Sequence, residues 1–196
     1  MNRTIEGIIN DMRELENELE ALVAEQHRDF MYRVEGAKIK FEESIVAQQK
    51  ALKIGLIEWF ASSRLRSILS IPFIYGMIVP LVFLHITMEL FHAICFPLYK
   101  IPKVKRAHYF AADRQQLPYL NAIEKLNCAY CGYGNGVIAY SREIVARIEL
   151  YWCPIKHAKK VLGSHPHYQK FLAFGEFEDF HKKTADLRSA LKNTNK

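Results

Sequence analysis

Apolar residues near the N-terminus recur in alternating steps of three and four: Ile5, Ile8, Met12, Leu15, Leu19, Leu22 and Gln26. That is the a/d seam of a coiled coil, and Glu14, Glu16, Glu18 and Glu20 fall between the seam positions. After Gln26 the seam jumps to Phe30 and resumes at Val34, Ala37, Phe41 and Ser44, a stutter in the heptad. No proline occurs before Pro72, so the pattern predicts a long helix, weakened at Gly36 and Gly55. Such a helix either dimerises the chain, recruits a partner protein, or packs back on the C-terminal part. Further on, Leu52, Ile54, Leu56, Ile57, Trp59, Phe60, Leu65 and Ile68 are interspersed with Lys53, Arg64 and Arg66, the pattern of an interfacial helix.

From Ile68 to Tyr99 the chain carries one formal charge, Glu89. About 20 helical residues cross a hydrocarbon core, so this run is long for one straight pass and short for two. Pro80, preceded by Gly76, sits near its middle, and basic residues flank both ends: Arg64 and Arg66 before, Lys100, Lys103, Lys105 and Arg106 after. Lys and Arg favour the cytoplasmic side. A membrane-embedded hairpin bent near Pro80, with both termini cytoplasmic, satisfies length and charge together. The alternatives are one tilted span of residues 72–93 and a buried helix pair of a soluble core.

Charge separates the zones further. Residues 1–50 hold seven Lys/Arg and eleven Asp/Glu, whereas residues 100–196 hold seventeen and eight. An acidic arm, an uncharged middle and a basic tail have different partners. Beside an apolar run, the tail is expected to meet anionic lipid; nucleic acid is the less favoured partner. The expected class is all-α: an amphipathic or coiled-coil helix over 1–66, a membrane hairpin or single span over 67–99, and a helical domain over 100–196.

Four cysteines in 196 residues are too few for a disulfide-built scaffold, and Met1 to Glu20 lacks the apolar core of a secretion signal. The thiols are therefore expected to be reduced. Cys128 and Cys131 form a CxxC followed by Gly132, and Cys153-Pro154 precedes His157 by four residues. Two cysteines separated by two residues can bind one ion from a tight turn, and Pro154 suits a first helical turn that places His157 on the same face as Cys153. Three thiolates and one imidazole make a closed tetrahedron typical of structural zinc, with iron or an iron–sulfur cluster as the alternative. Val137 to Trp152 predicts a helix, with Glu143 and Arg147 paired at i, i+4. The quartet therefore needs a break near Asn135-Gly136 or around Trp152; without one the halves bind separately or across a dimer.

Locally, CxxCGY and the Trp152-Cys153-Pro154 step resemble the metal knuckles of rubredoxins and zinc ribbons, except that His157 stands in place of a second cysteine. The whole block, CAYCGYGNG with YSRE and YWCPIKHA, preceded by IPFIYGMIVP and ICFPLYKIPKVKR, resembles an uncharacterised bacterial family of small membrane-associated proteins over residues 67–165. That resemblance implies a helical fold at the bacterial inner membrane and brings no activity with it.

Inside the apolar run, His85, Glu89 and His92 share one helical stripe. Ionisable groups in hydrocarbon usually face a partner or a cavity, so these three form a second candidate site, for a metal, a quinone or a proton path. Cys95 reads as a small buried hydrophobe. His165-Pro166 reads as a helix start rather than a metal site. Phe171, Phe174, Phe177 and Phe180 read as packing. No phosphate-binding loop, dinucleotide fingerprint, GxSxG or HExxH occurs, so the common hydrolase and nucleotide-dependent classes lack support. The reading is a non-enzymatic, membrane-anchored, zinc-stapled scaffold, with a redox protein as the alternative.

Overall fold

The computed structural model describes residues 5–29, 32–35, 38–55, 58–59, 61 and 65–193, and these are mostly helical. Backbone proximity groups the chain into two compact units, Met1–Ser62 with Ala112–Leu126, and Ser63–Ala111 with Asn127–Lys196.

The first unit opens with α1 (Ile5–Asp29), in which Met12, Leu15, Leu19 and Leu22 are all more than half exposed. The heptad helix does not continue through the stutter. Tyr32–Glu35 (β1) and Lys38–Phe41 (β2) pair as an antiparallel hairpin, and α2 follows over Glu43–Ala51. The reason is a change of period. Tyr32, Val34, Ile39 and Phe41 alternate with charged residues, and the register sets Tyr32 opposite Phe41, Val34 opposite Ile39, and Glu35 opposite Lys38. The seam positions Val34 and Phe41 are therefore strand residues, and Ser44 belongs to α2. Seam positions Phe30 and Ala37, and Leu56, Ile57, Phe60 and Arg64 of the expected interfacial helix, lie outside the described residues. The 112–126 segment ties onto the hairpin where the Ile39 amide donates to Gln116 Oε1 at 2.8 Å.

In the second unit, α3 (Leu65–Gly76) and α4 (Ile78–Tyr99) form one apolar helical run of 35 residues, interrupted only at Met77. The chain does not turn back at Pro80. Proline lacks an amide hydrogen, but Pro80 is the third residue of α4, in the first turn, where helices carry unpaired donors anyway. The Met77 amide bonds the Ile74 carbonyl and the Leu81 amide bonds that of Met77, so the axis carries on past the interruption. A single helix, about 52 Å long, replaces the expected hairpin. Lys100 closes α4 in a left-handed conformation, with the Ile101 amide bonded to the Phe96 carbonyl.

Residues 100–111 then run back along α4, and α5 (Ala122–Trp152) runs parallel to it. Tyr75 meets Asn127 and Tyr130, His85 meets Tyr133, His92 meets Tyr140, and Tyr99 meets Tyr151 and Trp152. Glycine permits the close approach of the return segment to α5. A Cβ on Gly136 would lie 2.8 Å from Phe110 Cδ1 and 2.9 Å from the Tyr109 carbonyl oxygen. The core joins Phe96 of α4, Ile101 and Val104 of the return segment, Tyr140, Ile144 and Leu150 of α5, Phe171, and Leu191 of α6 (Phe180–Asn193).

Candidate functional site: a polar cluster on the apolar helix

The cysteine–histidine quartet is not brought together within the chain. Helix α5 begins at a reciprocal cap, the Asn121 amide donating to Glu124 Oε2 at 2.8 Å and the Glu124 amide to Asn121 Oδ1 at 3.0 Å. It then runs unbroken to Trp152, well upstream of the expected start at Val137. Cys128 and Cys131 are two helical residues, and Gly132 serves helix packing rather than a metal-binding turn, with the Ala111 carbonyl 3.3 Å from where its Cβ would be. At 1.5 Å per residue, Cys131 and Cys153 are about 33 Å apart along the axis. Pro154 ends the helix instead of starting one: the Lys156 amide bonds the Leu172 carbonyl and the Leu172 amide bonds that of Pro154. His157 is thus not one helical turn after Cys153. Among the described residues no group of three or more His, Cys, Asp or Glu is placed to hold one ion. The donors do not fit a zinc ion, or an iron centre, inside one chain. Cys131, Cys153 and His157 are exposed, and Cys128 and Cys95 are half-buried.

The structure does gather the second candidate set. His92 is 5% exposed; its Nε2 accepts the Val104 amide at 3.0 Å, and its Nδ1 lies 3.0 Å from the Tyr140 hydroxyl. Because Nε2 accepts from an amide, the neutral ring carries its hydrogen on Nδ1 and donates it to Tyr140. The Tyr140 hydroxyl hydrogen is then left free on the side where the Glu89 charge acts on it. Val104, His92 and Tyr140 thereby form one directional chain across the return segment, α4 and α5. Beside it, His85 Nδ1 sits 3.1 Å from the Tyr133 hydroxyl, its ring stacked on Phe110, and its Nε2 faces Glu89 at 3.5 Å. Arg106 closes the outer end, 3.8 Å from Glu89. Burial, together with the charge of Glu89, pushes Tyr140 up to about 12 against the opposing Arg106.

Sequence reasoning found His85, Glu89 and His92 and missed Tyr133, Tyr140 and Arg106. A signal was present. The two histidines and the two tyrosines are each seven residues apart, the repeat that two parallel helices need to pair such groups twice.

The remaining histidines make local pairs. His167 Nε2 and Arg147 Nε both reach Glu143 Oε1, at 3.0 and 2.7 Å, and His165 Nε2 lies 3.0 Å from Glu149 Oε2. Burial alone would raise the Glu143 carboxyl, but the hydrogen bonds and charges of His167 and Arg147 outweigh it and hold the group below its ordinary value. His165 also precedes a short 3₁₀ helix over Pro166–Lys170, with Pro166 at its start. Of the phenylalanine series only Phe171 is buried, whereas Phe174 and Phe177 are exposed.

The opposite face of α3–α4 is bare. Phe73 is 80% exposed, Phe83 and Leu98 69%, with Leu90 and Ile94 nearly as open. Its neighbouring hydroxyls are turned inward: Thr87 donates to the Phe83 and Leu84 carbonyls, and Ser70 to Ser67. This run is long and apolar enough to cross a membrane. No family model, curated protein or solved structure matches the chain.

Proposed function

We propose that the protein is a non-enzymatic, membrane-attached helical scaffold. The bare face of α3–α4 holds it to the bacterial inner membrane with the charged ends on the cytoplasmic side, and the exposed seam of α1 binds a second copy or a partner protein as a coiled coil. The observation that carries the reading is that uncharged face, continuous from Phe73 to Leu98, with its hydroxyls bonded back to their own helix. A hydroxyl in hydrocarbon has no water to bond, so this is the conformation it needs. Covering Phe73, Phe83, Leu90, Ile94 and Leu98 contributes about 1–2 kcal/mol each, or about 5–10 kcal/mol together. Micromolar attachment needs about 8 kcal/mol. In flotation with vesicles containing anionic lipid, the purified chain should rise with the lipid, and a Phe83→Glu/Leu90→Glu variant should remain below. A wild-type chain that stays helical and monodisperse without detergent and ignores vesicles contradicts the proposal.

A metal site enters only between copies. The exposure of Cys131, in the N-terminal third of α5, and of Cys153 and His157, just past its C-terminus, favours an antiparallel pair, in which Cys128 and Cys131 of one copy face Cys153 and His157 of the other. Two such sites per pair amount to one zinc per chain, present in the dimer and absent from the monomer. Colourless protein with that content supports the arrangement. A visible iron–thiolate band points instead to the redox alternative, and metal-free dimers exclude both.

A further inference from the structure

Resting on membrane attachment, a second question is how the helix sits in the lipid. We infer that α3–α4 lies along the surface of one leaflet, bare face down, rather than across the bilayer.

The face from Phe73 to Leu98 is about 38 Å long, whereas a hydrocarbon core is about 30 Å thick. An upright helix would leave part of that face in water at one end or the other. The opposite side of the same helix is wet. Glu89 lies about 10 Å along the axis from Val82, the midpoint of the run. There the Glu89 and Arg106 side chains are 39% and 62% exposed. Lys103 and Lys105 are exposed on the return segment, and Arg147 is held against it by a 2.8 Å bond to the Pro102 carbonyl. The exposed stretch of the return segment over residues 105–108 is a single 3₁₀ turn (Arg106–His108) between coil, which leaves backbone groups unpaired, and irregular backbone of that kind is not found facing lipid hydrocarbon. A spanning orientation centred on Val82 would place Glu89, Arg106 and the 105–108 turn at hydrocarbon depth. An in-plane orientation buries the whole bare face and leaves every one of them in water.

The charges at the ends agree. Arg66 lies in the first turn of the run, and Lys100, Lys103, Lys105 and Arg106 follow it. For a spanning helix, one of these basic flanks must lie on the non-cytoplasmic side. For a helix lying flat, both rest on the anionic headgroups of a single leaflet. An in-plane orientation would keep both flanks on one side without any hairpin.

Two measurements on the full-length chain decide it. In inside-out vesicles from expressing cells, a membrane-impermeant amine reagent should label Lys50 and Lys53, upstream of the run, and Lys100, Lys103 and Lys105, downstream, before any detergent is added. In right-side-out vesicles neither group should react. Oriented circular dichroism of supported bilayers should keep a strong negative band near 208 nm, since α4 and the parallel α5 both lie flat. Labelling of only one flank in each vesicle type, or loss of that band, overturns the in-plane orientation while leaving membrane attachment intact. Failure of the chain to sediment with vesicles overturns both.

Discussion

Replacing His92 by alanine tests the hydrogen-bonded chain that joins α4, the return segment and α5. The change removes the acceptor of the Val104 amide, and Val104 is only 5% exposed, so water cannot substitute freely. An orphaned buried donor costs about 1–3 kcal/mol. The ring also packs edge-on to Phe96, with centroids 4.4 Å apart, and loss of that packing adds about 1–2 kcal/mol. The expected destabilisation is about 2–5 kcal/mol, a large part of the 5–15 kcal/mol typical of folded domains. Tyr140→Phe strands the His92 Nδ1 hydrogen instead and should cost about 1–2 kcal/mol. Since the two residues share one bond, the double variant should fall short of the sum by about 1 kcal/mol. Urea unfolding followed by far-ultraviolet circular dichroism, in one fixed detergent, reads all three. A His92→Ala loss below about 0.5 kcal/mol, or strict additivity, refutes the relay.

Other consequences follow from single contacts. Tyr140 is neutral in the folded state up to about 12, against an ordinary value of 10.0, so its contribution is complete below pH 10 and disappears as pH rises through 12. Burial raises Tyr109 as well, so titration of tyrosinate absorbance should show more than one late tyrosine, of which Tyr140→Phe removes the latest. Glu143 is held below its ordinary 4.5, so its pairing stabilises above that pH and is lost on further acidification. Glu143→Gln should be less stable at neutrality and lose less on acidification to pH 3; identical pH profiles would dismiss the pairing. Gly136→Ala gains about 1 kcal/mol of helix propensity but drives a Cβ into Phe110 and a backbone oxygen, for a net loss of about 1–2 kcal/mol. Gly76→Ala, with nothing within 4 Å, should be neutral or stabilising in the same unfolding assay.

The helical character and the uncharged run were legible because they rest on composition and period. The Glu143–Arg147 pair and the proline start at Pro166 were legible because they are local. What escaped was decided by context. The heptad seam and the β alternation share Val34 and Phe41, and only the pairing of Tyr32 with Phe41 separates the two readings. Cys-x-x-Cys-Gly suggests a turn, yet the Asn121–Glu124 cap had already committed the segment to a helix. Glycine serves a turn or a close approach equally well, and at Gly136 it is Phe110, 26 residues upstream, that makes the choice. The polar cluster was half visible because His85, Glu89 and His92 share a stripe, while Tyr133 and Tyr140 are ordinary helix residues until a parallel neighbour is known.

The claim on which the functional reading turns is that lipid covers the bare face of α3–α4. The most direct measurement is the collision accessibility of a nitroxide at Phe83, attached through a cysteine with the four native cysteines replaced, on vesicle-bound protein. The expected result is high accessibility to oxygen and low accessibility to a water-soluble nickel chelate, with the reverse at Arg106. Equal exposure of Phe83 to the nickel chelate with and without vesicles would contradict it.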